Sequence, residues 1–218
     1  MTSSTRQPAP APAPVRPGRA RGRWRTVDLI TTVLLAVAFG IAFVGWGAVS
    51  NLVQPLFTAL PPLAGLAYGF FWIPAVVAAL VVRRPGAALL AEVVAASVEP
   101  LLGGQWGLQT LGSGVLQGLG VELGFALLVY RRWTLLPAVL GGALAGIFET
   151  PYEWRLYYRE WSFGYASLYA GAMALSGAVL AGVLGWVVVR ALARTGALAP
   201  FAAGREQAGR RDRSAARD

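Results

Sequence analysis

Six long apolar stretches separated by short polar links constrain this chain more than any other feature. They run from Val27 to Val49, Pro62 to Val82, Gly86 to Leu102, Thr110 to Tyr130, Leu135 to about Tyr152, and Tyr165 to Arg190. A bilayer core needs about 20 apolar helical residues, range ~17–25, because lipid offers backbone N–H and C=O groups no partners. Every stretch is long enough, the third and fifth only marginally, and Pro74 interrupts the second. Only 13% of the 218 residues are charged and 56% are hydrophobic, whereas a soluble domain carries about 25% charged residues. The pattern predicts an all-α fold: an integral membrane bundle of six transmembrane helices.

Charge placement bears on the count and the orientation. All 19 basic residues are Arg, against 10 acids. Arg83 and Arg84 follow the second stretch, Arg131 and Arg132 the fourth, and Arg190 and Arg194 the sixth. With six spans these groups and the six Arg of residues 1–25 share one side. Links 50–61 and 103–109 carry no charge, and in 153–164 Arg155 and Arg159 are matched by Glu153 and Glu160. That asymmetry is the positive-inside pattern, so both termini are expected in the cytosol. A five-span count would expose one basic group outside, so an even number is favoured. Residues 1–25, with their Ala-Pro repeat, read as a disordered cytosolic tail, 26–192 as the membrane domain, and 193–218 as a flexible Arg-rich tail. No apolar run precedes a cleavage site before Val27, which argues against a secretory signal. The high pI comes from tails and inter-span links rather than from a nucleic-acid face.

The chain contains neither Cys nor His. Disulfides, thiolate nucleophiles, imidazole bases, haem ligation and Cys/His zinc sites are thereby excluded, and no metal or other cofactor is expected. A GxxxxGK[ST] phosphate loop is also absent, so the chain has no such ATPase of its own.

Glu92, Glu99, Glu122 and Glu149 lie within apolar stretches, where a carboxylate is expensive and marks a functional site by default. At ~1.5 Å rise per residue, Glu99 and Glu149 fall near the outer ends of their spans, and Glu92 and Glu122 deeper. Gln109, Ser113 and Gln117 recur every fourth residue and form one polar stripe. Trp46 and Asn51 begin the first link, Gln105 and Trp106 sit in the third, and Tyr152, Tyr165 and Tyr169 flank an aromatic-rich fifth. The expected result is an outward-facing pocket of aromatic planes, amides and carboxylates. It suits a small, flat, nitrogen-rich, cationic ligand, since aromatic faces attract cations and a carboxylate pairs with ring N–H and exocyclic amine. Each member also has an ordinary reading: interfacial anchoring for Trp and Tyr, interhelical hydrogen bonding for Gln117 and the deeper carboxylates. Small residues Ala36, Gly40, Ala38 and Ala42 in the first stretch, and Gly141, Gly142, Ala145 and Gly146 in the fifth, allow close helix approach, internal or to a partner.

The strings AEVVAASVEPLLGGQWG, GSGVLQGLGVELGFALLVYRRW and GIFETPYEW, together with six spans and a basic N-terminal tail, resemble the YkoE-type substrate-binding membrane subunits (S components) of energy-coupling-factor (ECF) ABC transporters. The resemblance covers roughly residues 25–195. It implies uptake of thiamine or its hydroxymethylpyrimidine precursor across a bacterial cytoplasmic membrane. The partners it implies are a transmembrane coupling subunit and two cytosolic ATPase subunits. It further implies a docking face on the first span, where Ala38 and Ala42 match the spacing and Gly40 replaces an alanine in the pair with Ala36.

On this reading the chain is a non-enzymatic binding subunit of an ATP-driven vitamin importer. Glu99 and Glu149 would recognise the pyrimidine or the cation. Trp106, Tyr152 and Tyr169 would stack, with Gln109, Gln117 and Asn51 orienting the ring, Trp46 nearby, and Glu122 making a deeper contact. The first link, 50–61, is a candidate lid. The rivals are a proton-coupled secondary transporter with Glu92 and Glu122 as its relay, a carboxylate-based membrane enzyme, and a structural membrane subunit without ligand.

Overall fold

The computed structural model describes residues 24–215, with side chains described to residue 209. Most of the N-terminal tail expected over 1–25 therefore lies outside the described residues. The described chain is helical, with no strand. Helix α1 spans Thr26–Val53. A 3-10 segment, Pro61–Trp72, runs directly into α2, Ile73–Val82. Then come α3 (Ala87–Leu101), α4 (Thr110–Ala126), α5 (Leu135–Tyr157) and α6 (Phe163–Ser176). A π-helical segment, Gly177–Leu184, continues α6 into α7 (Gly185–Thr195), and α8 spans Ala202–Ala215.

Among the described residues, four helical runs are long and apolar enough to cross a membrane: Thr26–Phe57, Pro61–Val82, Leu135–Tyr157 and Phe163–Thr195. Helices α3 and α4, with 15 and 17 residues, fall short. The short pair is thus the third and fourth stretches rather than the third and fifth, and the difference lies in the fourth. It ends as a helix at Ala126 because the chain turns there, with Val129 and Tyr130 at φ +53° and +51°. The fifth stretch runs on to Tyr157, five residues past its expected end.

Helix α2 is the axis of the bundle. All ten of its residues are buried, as a helix apolar on every side requires. The other helices surround it and pack through small residues. Helix α1 lies on α3 at Gly40, where an added Cβ would stand 2.6 Å from Val98 Cβ and 2.7 Å from the Ala95 carbonyl. Ala36 is buried on the same stripe. These two residues, expected at a partner interface, are occupied in packing α1 against its own bundle. Ala38 and Ala42 lie off that stripe, Ala38 exposed. Between α5 and the π segment, Gly142 and Gly177 bring the two backbones into direct contact.

The expected flexible tail over 193–218 contains α8. Leu198 and Phe201 before it and Ala203 within it are buried, and Arg83 Nη2 donates to Glu206 Oε2 at 2.8 Å.

Candidate binding pocket

The pocket forms where the chain leaves 3-10 geometry and enters α2. Trp72 is the last 3-10 residue and is fully buried. Above it lies a cavity of ≈ 490 Å³, mouth included, within the size range of small-molecule sites. Tyr68, Phe71 and Trp72 line one side, Phe43 of α1 and Trp106 of the α3–α4 link another. Polar atoms come from Glu99 of α3, Thr110, Ser113 and Gln117 of α4, and Glu153 and Tyr157 of α5. The aromatic wall is held edge to face: Phe71 meets Trp106 at 5.4 Å and 88°, and Phe43 at 5.1 Å and 70°.

The carboxylates of the interior divide by what they touch. Glu92 Oε2 accepts from the Ala75 backbone N–H at 3.3 Å, at the N-terminus of α2, where Pro74 supplies no N–H and the helix dipole favours a carboxylate. With its amide turned to suit its neighbours, Gln117 donates to Glu92 Oε1 and accepts from Trp72 Nε1, both at 3.2 Å. Glu92 and Gln117 thus form a hydrogen-bonded floor beneath Trp72. Glu122 does the corresponding work for α3. It accepts from the backbone N–H groups of Gly86 at 2.6 Å, Ala88 at 3.1 Å and Leu89 at 3.5 Å, and from the Tyr130 hydroxyl at 2.8 Å. Each deep carboxylate caps a different helix. Glu122 sits at the Arg-bearing end of the bundle and does not line the cavity, and the two do not share one layer as their depths had suggested.

The remaining three gather at the cavity. Glu99 is 3% exposed, and its Oε1 has no hydrogen-bond partner. The link passes directly over it: a Cβ on Gly104 would meet Glu99 Cγ at 2.5 Å, so only glycine lets the chain close there. Glu149 is fully buried behind the cavity wall with neither carboxyl oxygen paired; Ser113 and Gln117 are its polar neighbours. Glu153, one turn further along α5, lines the cavity and accepts a short hydrogen bond from the Tyr169 hydroxyl. Tyr169 is itself buried, packed against Tyr158 and Trp161, both at 5.5 Å. Burial, reinforced by Glu153, holds the Tyr158 phenol above its usual pKa.

Of the residues expected from the sequence, Glu99, Trp106 and Gln117 line the cavity. Glu149 and Tyr169 stand one layer behind. The Gln109 side chain accepts from the lining Tyr157 hydroxyl at 2.6 Å, and its backbone carbonyl accepts from Tyr152 at 3.1 Å. Asn51 and Trp46 brace the rim. Asn51 donates to Gln105 Oε1 at 2.5 Å, while Trp46 donates to the Ala67 carbonyl at 2.9 Å and stacks on Phe70 at 4.5 Å. Sequence reasoning missed Glu153, Tyr68, Phe71, Trp72 and Tyr157. In sequence Glu153 reads as a loop charge matched with Arg155. The signal was its spacing of four from Glu149, which shares a face once α5 runs through Pro151. The aromatic run Tyr68–Trp72 lay in plain sight but was absorbed into an apolar span.

A family model described as the permease component of an ABC-type cobalt transport system matches residues 27–148. A protein of Bacillus subtilis (strain 168) named as an HMP/thiamine permease protein, YkoE, is 31% identical over 194 residues, covering 88% of this chain and 96% of the relative. A crystal structure of an S-component of an ECF transporter superposes with a TM-score of 0.84 at 30% identity, covering 90% of this chain and 99% of that one.

Proposed function

Because the chain belongs to the YkoE-type S components of ECF transporters, the non-enzymatic substrate-binding membrane subunits of vitamin importers, we propose that its cavity binds thiamine or hydroxymethylpyrimidine. The observation that carries this reading is an aromatic-lined cavity with Glu99 and Glu153 in its wall and the unpaired Glu149 behind it. An aminopyrimidine presents ring nitrogens and an exocyclic amine to carboxylates and amides, and its faces to Trp106, Phe71 and Trp72. Thiamine adds a cationic thiazolium, which aromatic faces and carboxylates both attract. The B. subtilis relative's name points to the same ligand class. Glu92 and Glu122, the relay of the proton-coupled alternative, are each engaged in capping a helix, which weakens that alternative.

The topology follows from the same reading. Helices α3 and α4 complete six membrane crossings with the four longer runs, sheltered between their neighbours. The links bearing Arg83–Arg84 and Arg131–Arg132, and Arg190 and Arg194 after the sixth span, then fall on the cytosolic side of a bacterial cytoplasmic membrane with both termini, while Arg155 and Arg159 stay outside beside Glu153 and Glu160, and the cavity opens outward. The membrane domain, 26–192, works with a transmembrane coupling subunit and two cytosolic ATPase subunits, and the coupling subunit approaches the outward Ala38–Ala42 stripe of α1.

The test is a titration of the detergent-solubilised protein with thiamine and with hydroxymethylpyrimidine, read by quenching of intrinsic Trp fluorescence. Trp72 and Trp106 wall the cavity, so saturable quenching is expected. Glu99→Gln and Glu153→Gln should each weaken binding by about ten- to hundred-fold, the worth of a charge-assisted hydrogen bond of ~1.5–3 kcal/mol. A folded protein that responds to neither ligand would remove the substrate assignment.

A further inference from the structure

The Arg-bearing end of the bundle holds a second concavity that vitamin binding does not use. It is open, ≈ 1330 Å³ with its mouth, and is lined by Arg83, Arg84, Pro85, Val129, Tyr130, Arg131 and Trp133. Three guanidinium groups converge there, and no acid is among the lining residues. Arg83 uses one terminal nitrogen on Glu206 and its Nε on the Leu80 carbonyl. Arg84 reaches Asp28 through Nε alone, at 3.4 Å. The Arg131 guanidinium makes no hydrogen bond or ion pair among the described residues. A guanidinium carries five N–H donors, so most of the donors here have no hydrogen-bond partner among the described residues and are free to meet a ligand.

The walls are built for something other than water. Trp133, in the lining, stacks on Phe125 with ring centroids 5.2 Å apart at 28°. Val129, in the lining itself, is 65% exposed, and Leu127 and Leu136 beside it are 60% and 54% exposed. The backbone is also held in an unfavourable conformation at this place. Arg83, Val129 and Tyr130 are the non-glycine residues with positive φ among the described residues, and all three line the concavity. For a β-branched residue such as Val129 that conformation is costly.

We propose that this pocket holds the phosphate of an anionic phospholipid, with the guanidinium groups of Arg83, Arg84 and Arg131 on the phosphate and the acyl chains along Leu127, Val129 and Leu136. Cationic concavities between membrane helices at the cytoplasmic face recognise such headgroups. A free phosphate would use the arginines and leave the apolar flank unexplained. An acidic peptide would likewise have no use for exposed Leu and Val at membrane depth. The proposed topology enters only in naming the inner leaflet as the source of the lipid. No vitamin takes part in the test, so this inference and the substrate assignment can fail separately.

The experiment is native mass spectrometry of the detergent-solubilised full chain with added phosphatidylglycerol, phosphatidylcholine, glycerol 3-phosphate or an oligo-glutamate peptide. One retained phosphatidylglycerol is expected, with phosphatidylcholine and glycerol 3-phosphate much weaker. The double substitution Arg84→Gln/Arg131→Gln should weaken phosphatidylglycerol binding about thirty-fold, at roughly five-fold per arginine. Arg132→Gln removes a neighbouring charge outside the pocket and should change it by less than about two-fold. Unaltered thermal unfolding shows that the variants are folded. Equal retention of the two lipids, or equal losses in the pocket variant and Arg132→Gln, would overturn the proposal. So would glycerol 3-phosphate binding as well as the lipid, which means a soluble-anion site, or preferential binding of the peptide, which means a protein partner.

Discussion

Glu92 and Glu122 each stand where another helix begins, and that position decides what their loss costs. Glu122 gathers three backbone N–H groups at the start of α3 and the Tyr130 hydroxyl. Glu122→Ala leaves these donors without their acceptor, at a cost of ~1–3 kcal/mol for a buried unsatisfied group. Because Glu122 stands apart from the cavity, the midpoint of thermal unfolding should fall while vitamin affinity stays the same. Glu99→Gln should show the reverse, since Glu99 lines the cavity and its Oε1 holds no partner. Measuring both variants by unfolding and by Trp quenching separates the roles; loss of affinity in Glu122→Ala without loss of stability would contradict the assignment. From sequence these carboxylates look alike, as charges in apolar runs. What distinguishes them is which helix terminus lies opposite, a property of packing that no local window contains. Glu99, Trp106 and Gln117 were legible because each sits near a span end or on a polar stripe. Glu153 was not, because Pro151 and the charges after it resemble a helix stop.

Two irregular elements meet beside the cavity. The 3-10 segment Pro61–Trp72 is 12 residues long, where such runs rarely exceed ~3–4. Against it lies the π segment Gly177–Leu184, and Trp72 packs on Gly177. The joint is Ser176, the last residue of α6. Its hydroxyl accepts from the Gly69 N–H at 2.9 Å and donates to the Leu66 carbonyl at 2.6 Å, the two groups that 3-10 geometry would pair with each other. One side chain thus fixes the winding of the segment that carries Tyr68, Phe71 and Trp72 into the cavity. Ser176→Ala removes both bonds from a buried joint and should cost ~1–3 kcal/mol. It should also weaken ligand binding although Ser176 does not line the cavity. Unchanged affinity with lowered stability would mean that the joint is structural alone. Apolar periodicity reported a helix over both stretches correctly. It could not report their pitch, because 3-10, α and π windings draw on the same residue types, and the choice rests on a hydroxyl more than a hundred residues away.

Over the whole molecule, the polarity of the bundle runs along its axis. Aromatic and carboxylate groups collect above α2, arginines below it, and ligand capture at one end must be relayed to a partner. Helix α1 carries the face proposed for that partner, since it shows the bundle only one stripe. Asp28, Thr32, Ala36, Gly40, Phe43, Gly47 and Ser50 are buried. The opposite face is smooth: Ala38 is exposed, Leu34 and Ile41 are more than half exposed, and an added Cβ at Gly45 would meet nothing within 4 Å. A small-residue stripe lets another helix approach closely without desolvating polar groups. Bulk added there should obstruct the partner and leave the cavity untouched, since Phe43 is the α1 residue in its lining. Ala38→Phe and Ala42→Phe should therefore retain thiamine quenching of Trp fluorescence. When the chain is co-expressed with its coupling and ATPase subunits, uptake of labelled thiamine should fall by about ten-fold or more, equivalent to ~1.4 kcal/mol of lost association. Uptake at the unsubstituted level in both variants would show that the coupling subunit docks on another face of the bundle.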